Sequence, residues 1–170
     1  MLHLKLQGRS RKVGNDINTD YIIASTRKKE TLDPDHLKAF LFETIDPNLA
    51  ASLQPGDMVV AGDNFGCGSA MEVAVTTLVA AGVTAVLAKS FARTYYRNAI
   101  NNGLIPIDCD TDGLQEGDEL TVLFEPSRVR IRCLERNVDL AGRSATGVAL
   151  DILNAGGIVP YIRLHGGFKA

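Results

Sequence analysis

Hydrophobic and polar positions along the chain fall into short runs broken by turn signals. Leu2-His3-Leu4-Lys5-Leu6 alternates with a period of two and predicts a strand. Residues 14–20 form a polar turn rich in Asn and Asp, followed by the apolar run Tyr21-Ile22-Ile23 and a basic stretch at 27–29. Asp33 and Pro34 open a predicted helix over 33–42, with proline suited to its first turn. Pro55-Gly56-Asp57 marks a turn, and the apolar run 58–61 predicts a buried strand. A helix over 70–81 is stopped by Gly82, and a strand follows at 84–88. A second helix, capped by Ser90, runs to 102 and ends at Gly103, with another buried strand at 104–107. This strand–helix–strand–helix–strand order predicts a parallel α/β layer. Beyond Glu119 the pattern turns to β strands at 120–124 and 129–133, joined through a proline-containing turn, and a last helix at 146–154 ends at Gly156-Gly157. There is no internal repeat, low-complexity tract or linker, and 170 residues suit one domain.

Composition narrows the function. Hydrophobic residues make up 45% and charged residues 22%, and the net charge is -2. A nucleic-acid binder would carry a basic excess, so none is expected as a partner. Cys67, Cys109 and Cys133 are odd in number and widely spaced, and His3, His36 and His165 are scattered. Neither a disulfide framework nor a metal clamp has a visible ligand set, so no metal site is expected in this chain. The first residues carry no apolar signal-peptide core, and no run of about 20 apolar residues suits a bilayer. A cytoplasmic protein with no membrane contact is the expectation.

The chemistry concentrates in Asp63-Asn64-Phe65-Gly66-Cys67-Gly68-Ser69, between a predicted strand and a predicted helix start. Two glycines allow a sharp turn and a close backbone approach to a ligand, and the free N–H groups of a helix start suit phosphate or carboxylate. The lysine of a P-loop is missing, and the spacing fits neither GxGxxG nor the GxSxG of a nucleophile elbow. Ser69 with Glu72 three residues on also fits a capping box, which is a purely structural reading. The run Arg27-Lys28-Lys29-Glu30 reads either as a solvated surface or as a mobile loop that recognises a carboxylate. Arg93 and Arg97 share one helix face, where they pair with acids at an interface or face water. Cys67 is either a reactive thiol or a small packed one.

Asn64 to Ser69 with Glu72 and Ala74 resembles the signature of isopropylmalate isomerase small subunits and of the aconitase C-terminal domain. Two further blocks strengthen the resemblance: Asp16-Ile17-Asn18-Thr19-Asp20 with Ile22-Ile23, and Ala88 to Arg93 with Tyr96 to Leu104. The three stand in the family's order and spacing over roughly residues 14–108. The resemblance implies an α/β chain folded as a three-layer β/β/α swivelling domain over residues 1–170. It also implies a separate large subunit that holds a [4Fe-4S] cluster, with no cofactor in this chain, and a small di- or tricarboxylate substrate. Residue by residue, it makes Ser69 the general base, places Asp20 in the same catalytic site, and puts Cys67, Gly68 and the Arg27–Lys28 pair against the substrate. The implied reaction is isomerisation of a 2-hydroxy acid by dehydration and rehydration, with 3-isopropylmalate first. Homoaconitate or 2,3-dimethylmalate hydration, or non-catalytic anion binding, stand as alternatives. One departure is sharp: Met71 stands where the family carries an arginine for a substrate carboxylate, and a thioether cannot donate to an anion. The selector segment carries Arg27-Lys28 in place of a Tyr-Leu pair, so that a cation has moved from one segment to the other, the substrate differs, or catalysis is lost.

Overall fold

The computed structural model describes residues 5–168. Its strands are β1 (Lys5–Lys12), β2 (Met58–Val60), β3 (Ala85–Ala88), β4 (Ile105–Cys109), β5 (Glu119–Phe124), β6 (Val129–Cys133) and β7 (Val138–Arg143). They close a barrel in the order β1-β2-β3-β4-β7-β6-β5. The pairs from β1 to β4 are parallel, and the remaining pairs are antiparallel. The helices are α1 (Thr19–Ile22), α2 (Ser25–Glu30), α3 (Pro34–Leu37), α4 (Leu49–Ser52), α5 (Val73–Ala80), α6 (Arg93–Asn101), α7 (Val148–Asn154) and α8 (Ile158–His165), with a 3-10 turn at Lys38–Phe40.

Strand alternation sorts the apolar residues into two cores. Met58, Val60, Ala85, Leu87, Ile105 and Ile107 join Leu120, Val122, Val129 and Ile131 in the barrel interior. Val59, Val86 and Ala88 face the other way, onto Ala74, Val75 and Leu78 of α5 and onto Ile22, Ile23 and Leu37. The antiparallel strands, the parallel strands and the helices therefore stack as the expected β/β/α layers of an α/β fold. Because β1 pairs with β5 and β4 with β7, the early and late parts of the chain share one sheet. Near β1, Arg11 is buried against Asp57 at 3.2 Å and also reaches Glu116 at 2.8 Å, so the charge of Asp57 is compensated where water is excluded.

Several elements differ from the sequence reading. The first strand begins within the described residues at Lys5 and continues to Lys12, while Leu2 to Leu4 lie outside them. The helix placed over 33–42 shortens to α3 and the 3-10 turn: Leu41 leaves the helical region at ψ 125, and Phe42 follows with a left-handed φ of 58. The basic stretch, read as a solvated surface or a mobile loop, is helical in α2. The helix expected from residue 70 starts at Val73. β7 and α8 were not read from the sequence at all. Replacing Ile131 by Ala, a fully buried barrel position, should lower stability by about 2–5 kcal/mol in urea denaturation.

Candidate functional site

Three segments distant in sequence converge beyond the ends of β2 and β3. The glycine-rich loop, residues 64–69, leaves β2 through Asn64, whose left-handed φ of 57 is tied on both sides. Its backbone N–H donates to Ser90 Oγ at 2.8 Å, and its amide donates to Asp16 Oδ1 at 2.9 Å. Ser90 is thus spent on the loop, and α6 begins at Arg93 with no side-chain cap. Phe65 exchanges backbone hydrogen bonds with the segment entering α6, donating to Ser90 O at 3.0 Å and accepting from Ala92 N at 2.9 Å. Its buried ring meets Phe91 and Tyr95 edge to face, at centroid distances of 6.1 and 5.1 Å.

The two glycines of the loop are required by space as well as by conformation. Gly66 has φ +77, and a Cβ there would lie 2.1 Å from Tyr95 Cγ. Gly68 has φ +91, and a Cβ would lie 2.5 Å from Asn18 Oδ1. The N-terminal segment clamps the same loop. Gly66 N–H donates to Ile17 O at 2.8 Å, Thr19 N–H donates to Cys67 O at 2.9 Å, and Thr19 Oγ1 donates to Ser69 O at 3.0 Å. Asn18 closes the turn by accepting from Asp20 N–H at 2.9 Å.

Ser69 emerges from this clamp with its hydroxyl free of any hydrogen bond to a described group. The capping-box reading is corrected here. The N-cap position of α5 is Glu72, it makes no side-chain cap bond, and Ser69 lies outside the helix. The carbonyl of Ser69 is drawn to Thr19, and residues 69–71 lie before the helix start at Val73. Gly68, Ser69 and Ala70 are exposed, so the site is an open face rather than an enclosed pocket.

Asp20 and Lys28 meet at this face. Asp20 Oδ1 accepts from Lys28 Nζ at 2.7 Å and from Ser25 Oγ at 2.6 Å. These two donors, Lys28 first, hold the Asp20 carboxyl below the usual carboxylate range, so it stays ionised at neutral pH. Lys28 Nζ also abuts Met71 Sδ. Arg27, its neighbour on α2, points elsewhere: its guanidinium forms a fork on Glu43, with both contacts at 3.0 Å, and lies 3.8 Å over the Phe40 ring. Of the cysteines, Cys67 is half-buried in the loop. Cys109 and Cys133 are buried, and burial, with Asp108 and Asp110 nearby, pushes the Cys109 thiol up to about 12. Among the described residues no three His, Cys, Asp or Glu side chains come together as metal ligands, and the donors present do not fit an iron–sulfur cluster. No helix of the described residues is long and apolar enough to cross a membrane.

The aconitase C-terminal domain model matches residues 14–112, the stretch that holds all three converging segments. The chain belongs to the aconitase C-terminal domain family. Within the family it is 41% identical over 166 residues to 3-isopropylmalate dehydratase small subunit 2 of Archaeoglobus fulgidus, covering 98% of this chain and 99% of that protein. It is 40% identical over 158 residues to the methanogen homoaconitase small subunit of Methanocaldococcus jannaschii, covering 93% and 91%. A crystal structure of 3-isopropylmalate dehydratase from Methanocaldococcus jannaschii superposes with a TM-score of 0.90 at 40% identity, over 95% of both chains. Relatives named for two different substrates stand equally near, so identity alone does not choose between them.

Sequence reasoning quoted Thr19 and Asn18 within a family block but gave neither a task, and it had no signal for Ser25, Glu43 or Phe40. Two glycine variants test the account of the loop. Gly117, at φ +83 with open space around it, should lose roughly 1–3 kcal/mol on mutation to Ala from the backbone conformation alone. Gly66→Ala should lose clearly more in the same denaturation assay, because the Tyr95 ring must also move.

Proposed function

We propose that this chain is the small subunit of a two-subunit hydro-lyase that isomerises a 2-hydroxy di- or tricarboxylate by dehydration and rehydration, and that its reaction is that of 3-isopropylmalate dehydratase. The single observation that carries the reading is the free Ser69 hydroxyl. It stands on a loop clamped by Thr19, in a chain whose near full-length relatives bear the name of small subunits. Such a chain acts in the cytoplasm as one swivelling domain over residues 1–170, beside a large subunit. The [4Fe-4S] cluster of the resemblance belongs to that partner, and with it the Lewis-acid chemistry at the substrate hydroxyl.

The residues of this chain then have defined tasks. Ser69 takes the proton next to a substrate carboxylate and returns it on rehydration. A serine oxygen is a poor base in water, and positive potential around it lowers the cost of its anionic form. Ala70, Met71 and Glu72 have backbone N–H groups that meet no acceptor among the described residues, and the Lys28 cation rests on Met71. Cys67 and Gly68 offer backbone at close approach to the substrate. Arg27 and Lys28 bring the charge of α2 to the site, Lys28 directly and Arg27 by fastening α2 to Glu43 and Phe40. Asp20 stays ionised in the same site. The open face around Ser69 fits a half-site, because proton transfer from a carbon acid requires water to be excluded and here only a second subunit provides the cover.

The experiment is reconstitution. The chain alone should not turn over 2-hydroxy acids, and with its large subunit it should give an oxygen-sensitive hydro-lyase. Ser69→Ala should cut turnover of that complex by a factor on the order of 10² or more. Since Ser69 caps nothing, the same change should alter stability by no more than about 0.5 kcal/mol. Wild-type turnover in Ser69→Ala, or hydro-lyase activity of the chain alone, would contradict the reading.

A further inference from the structure

Helix α6 carries a face that the fold leaves unused. Arg93, Tyr96 and Arg97 stand at i, i+3 and i+4, so their side chains share one side of the helix. With Phe91 and Asp108 they line a cavity of about 370 Å³ that opens to solvent. The rings of Phe91 and Tyr96 meet edge to face at 5.6 Å and form its apolar wall. The arginines of β1, α2 and β6 each hold a carboxylate. Arg93 and Arg97 are exposed and hold none among the described residues. The helix gains nothing from them. Like charges four residues apart repel, and a cation in the first turn stands at the positive end of the helix dipole. Asp108 does not relieve them: it forms no ion pair with either, and its carboxyl accepts no hydrogen bond among the described residues. Burial holds that carboxyl above the usual carboxylate range.

Two unpaired cations, an aromatic wall and an acceptor without a donor make a surface built for a partner. Tyr and Arg are the side chains that most often anchor protein interfaces. A small ligand would stay largely in water here, because both arginines are exposed, whereas a protein segment would cover them. The charges set the chemistry of that segment: carboxylates opposite the arginines and a hydrogen-bond donor opposite Asp108. Position sets its source. Phe65 of the glycine-rich loop donates to Ser90 O at 3.0 Å and accepts from Ala92 N at 2.9 Å, so the start of α6 is fastened to the loop that carries Ser69. A subunit that covers the loop lies beside α6 as well. We propose that the face formed by Phe91, Arg93, Tyr96 and Arg97 docks the large subunit, through an acidic segment that also brings a donor to Asp108. This rests on the two-subunit reading and names the surface that seats the partner.

Charge reversal tests it on the whole chain. Arg93→Glu/Arg97→Glu should melt no lower than wild type, because an acid suits a helix start better than a cation does. Its binding to the large subunit, followed by biolayer interferometry at low salt, should weaken roughly ten-fold or more, mostly through a slower on-rate. Wild-type affinity should fall as salt rises, and the double variant should respond less. Arg93→Lys/Arg97→Lys should keep most of the affinity. Arg163→Glu, the same reversal at an exposed arginine of α8, should bind like wild type. At saturating large subunit the Arg93→Glu/Arg97→Glu chain should regain wild-type turnover, since these arginines seat the partner and touch no substrate. Unchanged affinity in that variant, equal weakening in Arg163→Glu, or turnover still depressed at saturation would overturn the proposal and leave the hydro-lyase reading standing. Self-association of the isolated chain that the double reversal abolishes would overturn it too, by placing a second copy on this face. If the wild-type chain and the large subunit do not associate, the two-subunit reading falls and the docking face with it.

Discussion

The structure of the site hangs on Thr19. This buried residue uses both of its donors on one loop, the backbone N–H on Cys67 and the hydroxyl on Ser69. Without that grip the glycine-rich loop would lose its register against residues 16–20. It would also be free to let Ser69 fold back as an ordinary helix cap, the conformation its sequence invites. Tertiary hydrogen bonding here overrides local propensity: the hydroxyl that would have satisfied an N–H of α5 is left open to a ligand.

The fold around it supplies rigidity. The loop rises from β2, and its other flank is tied to the segment that leaves β3, so both supports are neighbouring strands of one parallel layer. That layer is buried on one side by the barrel interior and on the other by α5. The positive-φ glycines are pinned from below by Tyr95 and Asn18. On the opposite flank, α2 is fastened through Arg27 and presents Lys28 across the same face. Two independent supports thus bring the Ser69 segment and the Lys28–Asp20 pair to one open face.

Much of this was legible in the sequence where local pattern and global fold agree. The apolar runs of β2 and β3 and the alternation of β6 gave strands at or near their observed bounds, because a strand buried on both faces needs continuous apolar residues and a strand with one buried face needs alternating ones. The three blocks that carried the resemblance are the three segments that meet in space. The misses have physical reasons. β7 hides behind its charges, since Asp139 on its outer face pairs with Arg130 and Arg132 of β6. Gly142, which reads as a breaker, is there because a Cβ would press within 3.0 Å of Asp108 O and of the Ile107 and Ile131 side chains. α8 hides behind Pro160, which sits in its first turn, where no intrahelical N–H bond is lost. Gly156 and Gly157, taken as the end of the last helix, turn the chain from α7 into α8. The pairing of Arg27 with Glu43 and of Lys28 with Asp20 had no signature, because two adjacent cations in one helix look alike until their directions are known.

The central claim is that the face formed by the Thr19 clamp, the Ser69 loop and α2 completes its site only when a second subunit covers it. Hydrogen–deuterium exchange of this chain, with and without the large subunit, tests that claim most directly. The account predicts that amides of residues 20–30 and 66–73 slow markedly on complex formation, while those of β6 and β7 change little. Protection confined to β6 and β7, with the Ser69 loop exchanging as fast in the complex as in the free chain, would contradict it.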